Sequence, residues 1–333
     1  MRALIWRGPR QLAVETTEDP RCDADEAVVR PDAAGICGSE VEGYLGRMSN
    51  RIPPLIMGHE FAGTVVGAGE ATKEWAGRRA AVNPLLSCRA CARCRAGERN
   101  LCPDRRLIGV HLAGGFAERV AVPATNLVPL PEGIDARIGA LAEPLANAVH
   151  AVGLARRVVV AETVVVLGAG TIGLFALQAA RADGLVDVRV VEPHAGRRAA
   201  ALASGARVAY SDAAQLSHER RADLVIDAVG ATATRRASLD VVRPGGAVIL
   251  VGLHEDETAL PFHRVVRDQV ALQGSFAYTD ADFAKALDLL VRGVVALGPL
   301  SEILPLEAGV DAFATLAAGP TTELKTFLSA SVR

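Results

Sequence analysis

Long apolar runs, blocks of basic residues and internal repeats are all absent from this sequence of 333 residues. No apolar stretch approaches the ~18 residues needed to span a bilayer, and Gly8-Pro9 interrupts the apolar start of the chain before a signal-type core develops. The formal net charge is only −2, so the sequence favours neither a nucleic acid nor a membrane as a partner. We therefore expect a soluble, cytoplasmic protein whose partner is a small, neutral molecule.

Cysteine is scarce as well, and all six cysteines lie in the first third of the chain. A cytosolic protein keeps its thiols reduced, which favours metal binding over disulfides. Four of them have the spacing Cys-x2-Cys-x2-Cys-x7-Cys, in a loop without apolar periodicity. Four thiolates at that spacing close a tetrahedron around zinc and leave no open position, so the predicted site is structural. The alternative is four unrelated thiols. The residues are Cys88, Cys91, Cys94 and Cys102.

A glycine-rich turn occupies the middle of the chain. The β-branched run 163–167 leads into Gly168-Ala169-Gly170-Thr171-Ile172-Gly173, and an apolar segment typical of a helix follows. In this context the first glycine permits a sharp turn, the second lets a pyrophosphate approach the backbone, and the third lets helix and strand pack closely. The pattern predicts a dinucleotide site; the alternative is an ordinary βαβ unit whose glycines serve packing only.

A second predicted strand, 188–191, ends at Glu192, the spacing expected of an acid that accepts from a ribose hydroxyl. Glu192 would repel a 2′-phosphate, so we expect NAD in preference to NADP, although Arg197 and Arg198 in the next turn could partly offset that repulsion. Two further segments follow predicted strands, where ligands of parallel sheets bind. The predicted cofactor-binding residues are Gly168, Gly170, Thr171, Ile172, Gly173, Glu192, Arg197, Val229, Val251 and Leu253.

Two domains are expected. From residue 163 to residue 251 strands alternate with helices, which predicts a doubly wound parallel sheet of the α/β class. The first third instead has many short strands separated by Gly and Pro, which predicts a mostly β, barrel-like domain. The last fifty residues leave the alternation, so we assign 1–148 and 278–333 to the β-rich domain and 149–277 to the dinucleotide-binding domain.

Cys37 and His59 lie on loops beside predicted strands and have the side-chain types that zinc prefers. Taken singly, each has a simpler interpretation, since a lone Cys is usually a small hydrophobe and a lone His a satisfied structural residue. Glu143 precedes Pro144, which suits the first position of a helix, so Glu143 is expected at the helix entrance, outside the helix and facing a cleft.

Together these residues resemble the zinc-dependent medium-chain alcohol dehydrogenases, especially the sorbitol, threonine and butanediol dehydrogenase branch, over essentially the whole chain. The resemblance implies a Rossmann domain, a GroES-like catalytic domain, NAD, two zinc ions per chain and a homodimer or homotetramer. It implies that Cys37 and His59 bind a catalytic zinc, and that Glu143 is the third ligand or holds the zinc-bound water. Glu60 corresponds to the acid beside the metal, which is a ligand in some members.

One departure concerns the proton relay. Ser39, two residues after Cys37, is implied to pass on the proton of the substrate hydroxyl, and relatives commonly end the relay with a His where this chain has Glu42. Either Glu42 takes the proton or the relay runs through water, and a solvated loop carboxylate is the simpler alternative.

The resemblance implies hydride transfer between NAD and a polar secondary alcohol, such as a polyol, sugar alcohol or cyclitol, or reduction of the matching ketone. Polar residues in the expected cleft agree with that substrate class, since a pocket for a long aliphatic alcohol would be mainly apolar. They are Glu42, Tyr44, Arg47, His111 and Asn147. Two alternatives are a non-catalytic, zinc-stabilised nucleotide-binding protein and a metal-free quinone reductase-like enzyme, which would lack both sets of metal ligands.

Overall fold

Short strands dominate the chain up to residue 129 in the computed structural model, which describes residues 1–216, 221–298 and 300–332. The first two strands form the antiparallel hairpin that the sequence predicts. In chain order the elements are β1 Arg2–Gly8, β2 Gln11–Thr16, β3 Glu26–Gly35, α1 Gly38–Tyr44, β4 Leu55–Ile56, β5 Glu60–Ala68, β6 Arg79–Val82, β7 Leu85–Leu86, α2 Ala92–Arg95, β8 Arg106–Leu107, β9 Val120–Pro123, β10 Leu127–Pro129 and α3 Ala136–Ala140.

Strands and helices alternate in the middle of the chain. The elements are α4 Ala142–Ala155, β11 Thr163–Leu167, α5 Thr171–Ala182, β12 Asp187–Val191, α6 Ala195–Ala203, β13 Val208–Tyr210, β14 Ala222–Asp227, α7 Thr232–Val241, β15 Val242–Leu250, α8 Phe262–Arg267 and β16 Ala271–Gly274. The six strands form a parallel sheet in the order β13-β12-β11-β14-β15-β16. This order confirms the predicted Rossmann sheet, and its direction of winding reverses between β11 and β14, where such sheets bind ligands.

The end of the chain returns to the first sheet. Its elements are α9 Asp280–Val291, β17 Ile303–Pro305, α10 Gly309–Ala318 and β18 Phe327–Ser329. β18 pairs antiparallel with β3 and parallel with β17, which completes a seven-stranded sheet in the order β10-β6-β5-β3-β18-β17 with β9 also beside β3. The mostly β, GroES-like domain is thereby confirmed.

The described chain divides into two compact units. One contains Met1–Glu143, Thr279–Arg292 and the described part of Pro299–Arg333, and the other contains Pro144–Tyr278 and Gly293–Gly298. Compactness alone does not establish that a segment folds independently, so the domain limits given above stay a prediction.

An aromatic cluster lies in the core of the first unit. Phe116 and Phe313 meet edge to face with ring centroids 5.9 Å apart, and Tyr44 lies 5.6 Å from Phe313. Phe61 is buried in the same core. Burial of these large rings stabilises the unit that carries α1 and β5.

Several predicted elements need correction. The sequence predicts a strand over 114–123, but the strand observed there, β9, begins only at Val120. Gly114 and Gly115 instead donate their N–H groups to Ile56 and Gly58. Helix α4 begins at Ala142, so Glu143 lies inside its first turn and not before it. Pro144 is tolerated there because the first N–H groups of a helix have no intrahelical partner. α8 and β16 were not predicted, since the sequence around them lacks clear periodicity.

Helices α3 and α4 together, Ala136–Ala155, are long and apolar enough to cross a membrane by length and composition. However, 78% of the relevant window is buried inside the protein. This run is therefore packed as a core helix is, and it carries no evidence for a membrane span.

Candidate active site

Cys37, His59 and Glu60 converge in the first unit. Cys37 follows β3 directly and caps α1, while His59 and Glu60 lie at the start of β5. β3 and β5 are antiparallel and Gly35 faces Glu60, so the pairing brings the two segments together. One ligand atom from each of the three side chains lies within 4.8 Å of the others. Cys37 and His59 are 22 positions apart in sequence. The fold nevertheless brings a thiol, an imidazole and a carboxylate into one compact set.

Glu40 holds this set in place, and the sequence analysis missed it. Its carboxylate is fully buried and accepts the backbone N–H groups of Cys37 (3.0 Å), Gly58 (2.7 Å) and His59 (3.1 Å). Its Oε1 also lies 2.8 Å from Nδ1 of His59. A ring that donates from Nδ1 to a carboxylate presents Nε2 to a metal, which is the usual arrangement of metal-binding histidines.

The electrostatics of this set suit a cation. Burial alone would lower the pKa of His59, but the charges of Glu40 and Cys37 and hydrogen bonds to them raise that pKa well above its ordinary value. Surroundings that favour positive charge on a buried imidazole also favour a metal ion bound by it. Thiolate, imidazole and carboxylate are the ligand types of zinc, so the residues present fit that metal.

Two acids compete as a further ligand. Glu60 belongs to the set within 4.8 Å, but it also forms a buried ion pair in which Nζ of Lys325 lies 2.9 Å from Oε1 and 2.6 Å from Oε2. Glu143 is buried in the first turn of α4, yet its carboxylate is outside that set. In the described structure Glu60 thus belongs to the compact set with Cys37 and His59, and Glu143 does not.

Ser39 accepts a hydrogen bond from a buried arginine. Nη2 of Arg51 donates to its Oγ at 3.1 Å, and Arg51 is only 5% exposed. A Cβ at Gly43 would come 2.6 Å from Cδ of Arg51, so α1 has room for this arginine only because residue 43 is glycine. The sequence analysis did not foresee Arg51. Glu42, on the same helix, forms an ion pair with Arg47 at 3.3 Å.

The expected cleft residues separate in the structure. Tyr44 packs in the hydrophobic core and is not placed to meet a substrate. His111 is exposed at a cavity, Arg47 pairs with Glu42, and Asn147 is half-buried in α4.

The four clustered cysteines form a second metal-binding set. Their sulfur atoms all lie within 4.8 Å of one another, with Cys88 3.5 Å from Cys102 and 3.9 Å from Cys94, and Cys91 4.0 Å from Cys102. A tetrahedron with Zn–S bonds of ~2.3 Å has edges of ~3.8 Å, so the geometry fits zinc. Backbone N–H groups of Ala90 and Cys91 lower the pKa of Cys88 to about 6, which favours its thiolate.

An arginine fixes this loop to the rest of the unit. Arg99 is buried, donates to both carboxylate oxygens of Asp280 at 2.7 and 2.6 Å, and reaches Oγ of Ser87 at 2.8 Å. The short pair β7 and β8 closes the loop at its base. Arg99 is thus a buried anchor between this loop and α9.

The glycine-rich turn lies between β11 and α5 in the second unit. Gly168 has φ +90°, and a Cβ there would come 2.5 Å from Val229, so both the turn and the packing require glycine. A Cβ at Gly173 would come 2.0 Å from the carbonyl oxygen of Gly168. At Gly170, the N-cap of α5, a Cβ would meet nothing nearer than Arg197 at 3.9 Å. The backbone at Gly170 is therefore open to a phosphate.

Glu192 joins the end of β12 to this turn. Its Oε2 accepts from the N–H of Ala169 at 2.9 Å and its Oε1 from the N–H of His194 at 2.8 Å. Each carboxylate oxygen has a second lone pair, so Glu192 can still accept from a ribose hydroxyl. The segments after β14 and β15 touch each other, since a Cβ at Gly230 would come 2.0 Å from the carbonyl oxygen of Gly252. Val229, Val251 and Leu253 flank that contact, and Leu253 is exposed.

Comparison with known proteins identifies the family. Residues 23–132 match the model of the alcohol dehydrogenase GroES-like domain, and residues 171–292 match that of the zinc-binding dehydrogenases. The L-galactonate-5-dehydrogenase of Escherichia coli (strain K12) is 33% identical over 305 residues, which cover 89% of this chain and 88% of that protein. This chain belongs to the zinc-dependent medium-chain alcohol dehydrogenases. It is an oxidoreductase that uses zinc and NAD(P) and acts on a small molecule.

Two solved dehydrogenase structures are similar over nearly the whole chain. An alcohol dehydrogenase from Escherichia coli CFT073 complexed with NADH has a TM-score of 0.90 and 26% identity, covering 99% of both chains. A zinc-binding dehydrogenase from Sinorhizobium meliloti 1021 bound to NADP has a TM-score of 0.88 and 29% identity, covering 98% of both chains. The medium-chain dehydrogenases similar to this one therefore include structures with either nicotinamide cofactor.

Proposed function

We propose that this dehydrogenase transfers a hydride between NAD and a polar secondary alcohol, such as a polyol, a sugar-derived alcohol or a cyclitol, and in reverse reduces the matching ketone. The observation that carries the proposal is the convergence of Cys37, His59 and Glu60 around the orienting carboxylate of Glu40. The name of the relative L-galactonate-5-dehydrogenase, which denotes a polyhydroxy substrate, supports the substrate class.

Cys37 and His59 would hold the catalytic zinc, with Glu60 or Glu143 as the third protein ligand, and the four clustered cysteines would hold a structural zinc. Bound zinc lowers the pKa of a substrate hydroxyl, and bound nicotinamide accepts the hydride. The chain's own residues orient these groups: Glu40 fixes the ring of His59, while Lys325 restrains the carboxylate of Glu60 by its ion pair.

Ser39 would receive the proton of the substrate hydroxyl. Because Arg51 donates to one lone pair of its Oγ, the other lone pair is left to accept from the substrate and the serine proton is left to be donated onward. The positive charge of Arg51 also opposes a build-up of positive charge on Ser39, so the proton is passed on and not retained.

A substrate screen tests the proposal. Polyols, cyclitols and amino alcohols would be offered with NAD, with simple primary alcohols as the contrast set, and NADH would be followed by absorbance. We expect the polyhydroxy compounds to have the higher kcat/KM. Higher kcat/KM for primary alcohols than for every polyol and cyclitol would contradict the proposed substrate class.

A substitution at Glu192 tests the cofactor preference. We expect NAD to be preferred over NADP, because a 2′-phosphate beside Glu192 would face its carboxylate at short range. Glu192→Ala should reduce the ratio of kcat/KM for NAD to that for NADP by about tenfold or more. As a control, Arg198→Gln should not lower this ratio, since Arg198 donates to the carbonyl oxygen of Glu192 and not to its carboxylate. Equal efficiency with the two cofactors in the unmodified enzyme would refute the assignment.

Glu42 is proposed as the end of the proton relay. It lies on α1 with Ser39 and keeps an ion pair with Arg47, so its carboxylate is held close to the surface. Glu42→Gln should shift the pH dependence of kcat, because the amide cannot accept the proton. Arg47→Gln, which breaks the ion pair but keeps the carboxylate, is the matched control. An unchanged pH profile in Glu42→Gln would assign the relay to water.

We also propose that the enzyme is cytoplasmic and forms a homodimer or homotetramer, as its family resemblance implies. Light scattering on the eluting peak of a gel-filtration column would give the number of subunits.

A further inference from the structure

A cavity of about 540 Å³ opens in the first unit, and its lining includes Asn50, the residue before Arg51, and Ile56, three residues before His59. Its polar lining comes from Thr17, Asn50, Arg106 and His111, and the rest is apolar. None of its described lining residues carries a carboxylate. The described lining therefore has a positive side chain and no negative one.

Arg106 is available to a ligand. One of its N–H groups donates to the carbonyl oxygen of His111 at 3.3 Å, and it forms no ion pair with any carboxylate in the described parts of the chain. By contrast, many arginines of this protein, such as Arg2, Arg99 and Arg189, bind a carboxylate directly. The other N–H groups of this guanidinium remain available, and a guanidinium can bind a carboxylate or phosphate with two parallel hydrogen bonds.

His111 adds a donor at the same place. Its Nδ1 accepts from the backbone N–H of Leu107 at 3.0 Å, so the neutral ring carries its proton on Nε2. Partial burial and the charges of Arg106, Arg51 and Arg105 lower the pKa of His111. Three guanidinium groups thus act on His111, and the charge of the Glu40 carboxylate acts on one of them, that of Arg51.

Three observations link the lining of the cavity to the active site. Asn50, in the lining, precedes Arg51, which donates to Ser39. The segment after His111 is held by hydrogen bonds from Gly114 to Ile56 and from Gly115 to Gly58, the residue before His59. The charge of Arg51 also acts on His111. A substrate whose reacting hydroxyl lies at Ser39 and His59 could therefore extend its far end toward Arg106.

We propose that this cavity binds the anionic end of the substrate, and that the preferred substrate is a polyhydroxy carboxylate or a polyol phosphate and not a neutral polyol. The inference rests on the proposed function and names its substrate class more closely. It revises the expectation of a neutral substrate. That expectation came from the net charge of −2, which describes the whole chain and does not reveal a local group of arginines. The relative named for L-galactonate, a polyhydroxy carboxylate, agrees with it.

Substrates that differ in charge at one carbon test the proposal. L-Galactonate, galactitol 1-phosphate and galactitol form one set, and L-idonate with L-iditol forms a second. We expect kcat/KM for at least one anionic member to exceed that of its neutral partner by about tenfold or more. Whichever of L-galactonate and galactitol 1-phosphate has the higher kcat/KM shows whether the cavity prefers a carboxylate or a phosphate. A neutral polyol that equals or exceeds its anionic partners would overturn the proposal.

Arg106→Gln assigns the effect to this cavity. It should raise KM for the anionic substrate by about tenfold while leaving kcat/KM for the neutral polyol unchanged. Arg292→Gln, which removes an exposed charge at the end of α9, is the matched control and should change neither. An equal loss for anionic and neutral substrates would contradict the assignment, because it would mean that Arg106 supports the fold and not the anion.

A binding measurement separates this proposal from the proposed function. Calorimetry would follow L-galactonate and L-idonate binding to the enzyme with NADH, a combination that cannot react. If these anions bind and Arg106→Gln abolishes their binding, the anion site is supported even when no alcohol in the screen is oxidised. In that case only the proposed function would be wrong. Absence of both turnover and Arg106-dependent binding would overturn the anion site.

Discussion

Ser39→Ala lowers kcat/KM by a factor of about 10² to 10⁴, the range over which positioned proton transfer contributes to catalysis. The expected loss is large because the other hydroxyl of α1 belongs to Tyr44, whose side chain packs in the hydrophobic core and cannot replace Ser39 in the relay. The zinc content should not change, since Ser39 is not a metal ligand. Steady-state kinetics with the best substrate of the screen, together with metal analysis, would measure both quantities.

The serine variant also has an expected structural cost. Removing Oγ leaves Nη2 of Arg51 without its acceptor in a site where that side chain is 5% exposed. An unsatisfied buried donor costs about 1–3 kcal/mol, so a modest fall in Tm should accompany the kinetic loss. Ser39→Thr keeps the hydroxyl and should restore most of the activity. A loss below tenfold in Ser39→Ala would remove Ser39 from the relay.

Cys102→Ser should remove one zinc ion per chain and destabilise the protein by several kcal/mol, because binding of a structural zinc contributes directly to folding. Cys102 is fully buried at the centre of the cysteine set, and its loop has little apolar packing of its own. Thermal unfolding and metal analysis would measure the two effects. We expect a lower Tm with zinc retained at the Cys37 site.

Cys22→Ser is the matched control for this prediction. Cys22 is exposed and belongs to neither metal-binding set, so the same chemical change should alter neither zinc content nor Tm. If Cys102→Ser kept both zinc ions and the Tm of the unmodified protein, the cysteine set would not be a structural zinc site.

The parts of this protein that the sequence predicts well are those in which a local pattern determines a local structure. Gly168 and Gly173 belong to a turn whose backbone leaves no room for a Cβ at either position. The six consecutive residues 168–173 contain the whole pattern that predicts this turn. The spacing of Cys88, Cys91, Cys94 and Cys102 similarly reports a compact set within one loop. In both cases the residues that act together are close in sequence, so their spacing is enough to predict their geometry.

The residues that the sequence analysis missed are joined to the site by tertiary structure. Lys325 reaches Glu60 across 265 positions, and nothing in the sequence around either residue indicates the pairing. In the sequence nothing distinguishes Arg51 from a surface arginine. In the structure it packs against α1, where Gly43 has no side chain to clash with it. Glu40 did have a local signal, because an acid three residues after an N-cap often accepts from the cap, but that pattern does not indicate His59 as its second partner.

Glu143 illustrates the opposite error. The pair Glu143-Pro144 predicted a helix that begins at the proline, whereas α4 begins at Ala142. Proline is compatible with any position whose N–H lacks an intrahelical partner, so it limits where the helix begins without fixing its first residue. The third zinc ligand therefore depends on the side-chain positions of Glu60 and Glu143, which the sequence pattern does not encode.

The zinc content of the unmodified enzyme and of Cys37→Ser, measured by plasma mass spectrometry alongside dehydrogenase activity, tests the catalytic zinc site most directly. We expect two zinc ions per chain in the unmodified enzyme and one in Cys37→Ser, with an unchanged fold and no dehydrogenase activity in the variant. One zinc ion in both proteins, or full activity in Cys37→Ser, would contradict a catalytic zinc held by Cys37 and His59.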